Sequence, residues 1–251
     1  MRTYKLTLAY EGTNYVGWQR QANGASVQQL VEEAFAPLVD GVAPTVAGAG
    51  RTDAGVHALG QVASVNAEID LSPQAVQRAL NVRLPADIRV LHVEDATPGF
   101  HARFHAVRKQ YRYRMITASV LSPFDRWYVW HAPGRRNVDV MREAAAVLVG
   151  KHDFASFQAR GASVAATIRT VHDVDLASEG DEIRLTIEGD GFLRHMVRIV
   201  MGTLADLGLA GRTSDPAAAM CAILDARNRR AAGPTAPASG LTLLRVAYRK
   251  P

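Results

Sequence analysis

Apolar residues fall at every second position from Tyr4 to Tyr10 in MRTYKLTLAYEG, alternating with Thr3, Lys5 and Thr7, and the period then lengthens in SVQQLVEEAF. The first pattern predicts a strand with one buried face. The second, with Val27, Leu30, Val31, Ala34 and Phe35 at helical spacing, predicts a helix with one buried stripe. Ser26 stands three residues before Gln29 as in a capping box, and Pro37 ends or bends the helix. An apolar run up to Gly48, a strand pattern in GQVASVNAEI, a helix opened by Ser72-Pro73 and a strand in DIRVLHVEDA complete the order β-α-β-β-α-β. From about His105 the series runs again. VRKQYRYRMIT reads as a strand, the stretch between Asn137 and Gly150 as a helix, and TIRTVHDVDLAS and EIRLTIEG as a hairpin around Gly180-Asp181. FLRHMVRIVMGTLADLG then reads as a helix and LTLLRVAYR as a closing strand. The same order twice, without residue-level repetition, predicts an α+β chain of two ferredoxin-like halves, residues 1–104 and 105–251. Placed edge to edge, such halves make a continuous, mostly antiparallel sheet with helices on one side and a central cleft.

Composition narrows the function classes. The chain has 251 residues, 48% hydrophobic and 21% charged, which is ordinary for a soluble globular protein with a sizeable core. Its 29 Lys and Arg against 24 Asp and Glu give +5, which makes an anionic partner plausible without requiring one. Cys221 is the only cysteine, so neither a disulfide framework nor a thiolate zinc site forms within one chain, and a cytoplasmic location fits. The first residues alternate as a strand does and lack the apolar block of a signal peptide. The most helix-like apolar stretch, FLRHMVRIVMGTLADLGL, is interrupted by Arg194, His195 and Arg198, which argues against a membrane span.

GAGRTDAGVHALGQVASV, from Gly48 to Val65, sets Arg51, Asp53 and His57 within seven positions of a glycine-bounded turn. The bland reading is a turn whose Asp bonds local backbone and whose Arg pairs at the surface. Asp53 occupies the place of the third glycine of a dinucleotide fingerprint, and no Gly-Lys-Ser/Thr follows, so phosphate cradling is excluded. The chemical alternative is a carboxylate on a turn, beside a guanidinium that favours its ionised form, ready as nucleophile or electrostatic stabiliser. In HARFH, His101 and His105 stand four apart, but the segment leads into a strand pattern. Side chains so spaced on a strand lie ~13 Å apart, too far to share a metal. Arg194 and Arg198 share a helix face, ordinarily a solvated one. FHARFHAVRKQYRYRM, read as a strand, places Lys109, Tyr111, Tyr113 and Met115 on one face and Arg108, Arg112 and Arg114 on the other. A core tyrosine suits Tyr113. For the rest, phosphate contact by the arginines and base stacking by a tyrosine are the ingredients of RNA binding. Three insertions, SVLSPFDRWYVWHAPGRR, DFASFQARGASV and RRAAGPTAPASG, carry aromatics and arginines and suit binding loops.

GRTDAGVHA resembles the signature of the TruA family of tRNA pseudouridine synthases. LAYEGTNYVGWQRQ, FHARFHAVRKQYRYR, HDFASFQ, the RHMVR helix and AGPTAPASGLTL are similar to that family's successive motifs, in order along the whole chain. The resemblance implies an isomerase, free of cofactor and metal, that turns uridines at positions 38, 39 and 40 of the tRNA anticodon stem-loop into pseudouridine. It also implies an active site in a basic cleft between the halves, and a cytoplasmic homodimer in which one tRNA touches both subunits. Carried across by position, Asp53 is the catalytic aspartate, acting as nucleophile, and Arg51 its motif partner. Arg198 of HMVR reaches Asp53, and Tyr111 stacks on the target uracil. Whether the aspartate attacks sugar or base, or assists a glycal-forming elimination, stays open.

Two other classes compete. The order β-α-β-β-α-β is also that of a non-catalytic RNA-recognition module, but neither half shows its aromatic-rich Lys/Arg-Gly-Phe/Tyr-Gly/Ala-Phe-Val motif. A carboxylate N-glycosidase would free the base and leave abasic RNA, whereas an isomerase leaves the RNA mass unchanged.

Overall fold

The computed structural model describes residues 1–39, 43–159, 161 and 166–249. Part of the DFASFQARGASV insertion, residues 160 and 162–165, lies outside them. The chain forms two compact units, Met1–Val107 with Thr242–Pro251, and Arg108–Leu241. In chain order the elements are β1 (Arg2–Tyr10), α1 (Val27–Phe35), β2 (Val46–Gly48), β3 (His57–Ala67), α2 (Pro73–Arg83), β4 (Ile88–Asp95) and β5 (Ala106–Ile116). There follow β6 (Trp130–His131), α3 (Val138–Ala146), β7 (Gly150–Asp153), β8 (Ile168–Glu179), β9 (Glu182–Gly189), α4 (Met196–Leu207), α5 (Pro216–Asp225) and β10 (Leu241–Tyr248). The class is α+β, with the order β-α-β-β-α-β twice and β6, β7 and α5 added to the second series.

In the first unit β1 runs antiparallel to both β3 and β4, and Tyr4, Leu6, Leu8 and Tyr10 are the buried face that the alternation requires. β2 and β10 share one side of β3: β2 pairs antiparallel with Ala63–Val65, and β10 pairs parallel at His57 and Ala58. Ser26 caps α1, its hydroxyl accepting from the Gln29 N–H at 3.3 Å, but the Gln29 carboxamide turns onward to Glu33 at 2.8 Å, so the capping box is half made. Pro37 stands in the single 3₁₀ turn that follows Phe35. The buried stripe of α1 also differs from the apolar pattern: Gln28 and Glu32 are buried, and Leu30 is only half-buried. α2 starts as expected, with the Ser72 hydroxyl accepting from Ala75 and Pro73 in the first turn.

In the second unit β9 lies between β5 and β8, antiparallel to both, with β7 antiparallel on the far side of β8. The β8–β9 connection is tight, and Gly180 takes φ +56 there. α3 is capped by Asn137 and stops before Gly150, which opens β7 at φ +118. α4 begins at Met196, with His195 ahead of it in the left-handed region at φ 62, so Arg194 and Arg198 do not share a helix face. α5 was not anticipated. Its start was legible, since the Asp215 carboxylate accepts from Ala218 and Pro216 stands in the first turn.

Candidate active site

Asp53 lies on the loop between β2 and β3, and the main chain on either side of it is fixed. The Val56 N–H donates to the Asp53 carbonyl at 3.1 Å, closing a turn in which Gly55 has φ +78. The Trp18 N–H donates to the Thr52 carbonyl at 3.1 Å, and the Gln61 carboxamide donates to the Gly50 carbonyl at 2.9 Å. Two glycines let the 10–18 segment come this close. A Cβ on Gly17 would stand 2.4 Å from the Thr52 carbonyl oxygen, and one on Gly12 would stand 2.0 Å from that of Val56. Both glycines occur in LAYEGTNYVGW, so that motif is the backing of the aspartate loop.

Side chains complete the brace. The Tyr10 and Thr52 hydroxyls are 2.9 Å apart in the core, and burial pushes the Tyr10 phenol up to about 12, keeping its proton at neutral pH. His57, expected in the turn, is the first residue of β3 and buried; its Nδ1 accepts from the Gly12 N–H at 3.0 Å. Asp53 is half-buried, between the buried Thr52 and the exposed Ala54, and Arg51 is exposed. The Arg51 Nε donates to Gln19 Oε1 at 3.2 Å.

Tyr111 and Arg198 belong to the second unit. Tyr111 sits on the buried face of β5 with Tyr113 and Met115, 7% exposed, and meets the Phe192 ring edge-on at 5.2 Å. Tyr113 is a core tyrosine whose hydroxyl donates to the Pro237 carbonyl at 2.7 Å. Arg198 is in the first turn of α4. Its Nε donates to the Ala236 carbonyl at 2.8 Å, and its own carbonyl accepts from the Ala236 N–H at 3.1 Å. The AGPTAPASG segment therefore orients this arginine. It approaches α4 at Gly202, where a Cβ would stand 1.9 Å from the Pro234 carbonyl oxygen.

Of the three arginines on the other face of β5, two are committed inside the unit. Arg108 pairs with Glu188 at 3.0 Å, and Arg114 pairs with Glu182 at 2.8 Å and Asp125 at 3.5 Å. Phosphate contact by them has to compete with those pairs. The histidines of HARFH do not lie on a strand. Residues 101–105 form a turn in which the His105 N–H donates to the His101 carbonyl at 3.1 Å and His105 Nδ1 accepts from the His101 N–H at 3.2 Å. The turn is pinned by Ser64, which accepts from the Ala102 N–H, and by Tyr248, which donates to the Ala102 carbonyl. Among the described residues no three His, Cys, Asp or Glu side chains cluster as metal ligands, and no helix is long and apolar enough to cross a membrane.

Gln19, Gln28 and Glu32, which no catalytic motif in the sequence marks, join Arg51 to α1. Gln28 Oε1 accepts from the Gln19 carboxamide at 2.7 Å, and Gln28 Nε2 donates to Glu32 Oε1 at 2.9 Å. The signal in the sequence is weak: two polar residues four apart at the edge of an apolar helix stripe, which bond inward once the fold buries them.

Comparison with known proteins gives the class: stretches of both α+β units match one family of RNA-modifying isomerases. The profile of the tRNA pseudouridine synthases matches residues 7–105 and 144–249, and the chain belongs to that family. Its activity is the isomerisation of uridine to pseudouridine in tRNA. Within the family it is similar to tRNA pseudouridine synthase A of Geobacter sulfurreducens, 44% identical over 99% of this chain and 100% of the relative. The enzyme of that name from Rhodospirillum centenum is also 44% identical, over the same shares. tRNA pseudouridine synthase A 1 of Protochlamydia amoebophila is 43% identical over 99% of this chain and 97% of its own length.

Proposed function

We propose that the chain acts on the uridines at positions 38, 39 and 40 of the tRNA anticodon stem-loop, with Asp53 as the essential carboxylate. The observation that carries this reading is the Asp53 loop: a half-buried carboxylate heads a turn whose neighbouring carbonyls are tied to Trp18 and Gln61. A group held in this way needs little reorganisation when the reaction begins. The N1–C1′ bond breaks, the uracil turns while bound, C5 joins C1′, and the proton lost from C5 is balanced by one gained at N1. Asp53 serves the first step, by attack on sugar or base or by assisting elimination. Arg51 and Arg198 are the cations that serve this carboxylate and hold the RNA, and Tyr111 receives the extruded uracil. In this reading residues 1–104 supply the carboxylate and residues 105–251 the tyrosine and second arginine. The enzyme works in the cytoplasm as a homodimer, without cofactor, one tRNA touching both subunits.

Asp53→Asn keeps size and turn geometry and removes the charge. Incubated with an unmodified tRNA transcript, the variant is expected to bind tRNA and to form no measurable pseudouridine. Turnover within an order of magnitude of the parent would overturn Asp53 as the essential carboxylate. Pseudouridine mapped elsewhere in the tRNA would overturn the positional assignment.

A further inference from the structure

The Arg51 side chain ends a chain of hydrogen bonds whose polarity is set from inside the protein. Glu32, 6% exposed, is an acceptor only: its Oε1 takes the Val46 N–H at 3.1 Å and the Gln28 Nε2 at 2.9 Å, and its Oε2 takes Arg20 at 3.1 Å. Gln28, 7% exposed, must therefore direct its amide nitrogen at Glu32, and the same nitrogen reaches the Val46 carbonyl at 3.0 Å. Its oxygen accepts from the Arg20 N–H at 3.0 Å and from Gln19 Nε2 at 2.7 Å. Gln19, with its nitrogen turned inward, presents its oxygen on the outer side, and that oxygen accepts from Arg51 Nε at 3.2 Å. Turning either amide over would set donor against donor or acceptor against acceptor.

We propose that Gln19, oriented by Gln28 and Glu32, is a positioning residue that fixes the Arg51 guanidinium for the reaction. Arg51 is exposed, and an unconstrained arginine distributes itself over many rotamers, so a fixed acceptor at its Nε selects among them while leaving the two terminal nitrogens to face RNA or carboxylate. The network uses a neutral acceptor where a carboxylate would neutralise the cation. The positive charge is thus placed without being consumed.

This inference rests on the reading of Arg51 as a participant, and the two can fail separately. Gln19→Leu keeps side-chain bulk and removes the acceptor. At saturating tRNA its single-turnover rate constant is expected to fall about tenfold, the worth of one hydrogen bond to a charged group, with tRNA affinity changed less than about twofold. Arg51→Lys keeps the charge and removes the Nε fork. In that background Gln19→Leu is expected to have no further effect. A full fall on top of Arg51→Lys, or an unchanged rate in Gln19→Leu with Arg51→Lys impaired, would overturn the network's role. A parental rate in Arg51→Lys would overturn the reading of Arg51 itself. Gln19→Met covers the case in which Leu disturbs the loop: it keeps the unbranched shape and lacks the amide, so it is expected to be as slow as Leu, and a parental rate in Met would count against positioning.

Discussion

At the residue scale, Tyr111 carries two separable properties, a ring and a hydroxyl. The ring is nearly buried on β5 and braced edge-on by Phe192 at 5.2 Å, so its plane is set before any base arrives. We propose that the hydroxyl helps to remove the C5 proton; Tyr111→Phe keeps the ring, and stacking of a base on an aromatic is worth ~1–3 kcal/mol, so tRNA affinity is expected to be preserved while product formation slows. With uridine tritiated at C5, the parent should release one tritium to water for each pseudouridine formed, and the Phe variant should release it more slowly at saturating tRNA. An unchanged release rate would leave the tyrosine with stacking alone. Tyr111→Ala should weaken placement of the base as well, seen as a fall in affinity that the Phe variant lacks.

At the scale of elements, a glycine in α4 and an ion pair across β5 and β9 lead to different measurements. Gly202→Ala would drive a Cβ to 1.9 Å from the Pro234 carbonyl oxygen, so either α4 or the 233–236 segment must move. The expected cost is on the order of 3 kcal/mol, the upper range for overpacking, and thermal unfolding should show it. Because Arg198 is tied to Ala236 of the same segment, activity should fall further than the loss of folded protein explains. The hydrogen bond from Arg114 holds the Glu182 carboxyl below its ordinary range. A depressed carboxylate stabilises the fold above its unfolded pKa and loses that contribution as pH falls through the folded one. Glu182→Gln should therefore melt below the parent near neutrality, and the two curves should converge in acid, below about pH 4.

Elements whose pattern is local were legible in the sequence, because alternation and capping are themselves local. β1, α1, α2, β4 and the β8–β9 hairpin follow from period and turn chemistry. What stayed hidden depends on partners distant in sequence. β7 is four residues long and pairs with β8, and α5 has an alanine-rich body in which Met220 and Leu224, four apart, form a buried stripe too narrow to stand out in the sequence. At the candidate site, Asp53 and Arg51 stood out because a charged turn between glycines is unusual chemistry. Gln28 and Glu32 did not, because a glutamine and a glutamate on a helix read as solvent-facing until the fold buries them. His101 and His105 were misplaced for a related reason: the strand pattern that follows them was extended backwards over a turn held by Ser64 and Tyr248.

At the scale of the whole molecule, the surplus of five positive charges makes tRNA binding a matter of counterion release. Affinity is expected to fall steeply between low and physiological salt, and a flat response would count against phosphate contacts as the source of binding. The reaction is assigned no metal and no thiol. Chelator treatment and Cys221→Ser are each expected to leave turnover intact, Cys221 being exposed on α5. Loss of the chemical step with chelator, restored by a divalent ion and separable from tRNA folding, would reverse that assignment.

β10 gives the chain a timetable. The first unit is made of two stretches of sequence, and the second of them, Thr242–Pro251, follows the whole of the other unit. Until it arrives, His57 and Ala58 of β3 lack their parallel partners, and the cluster of Ala49, Val62 and Ala102 lacks Val246 and Tyr248. On the ribosome, the unit that begins synthesis first is therefore the last to be completed. The aspartate loop, which joins Ala49 to β3, waits with it, so a nascent chain released or cleaved before Thr242 carries every residue assigned to the chemistry and an unfinished floor beneath the carboxylate.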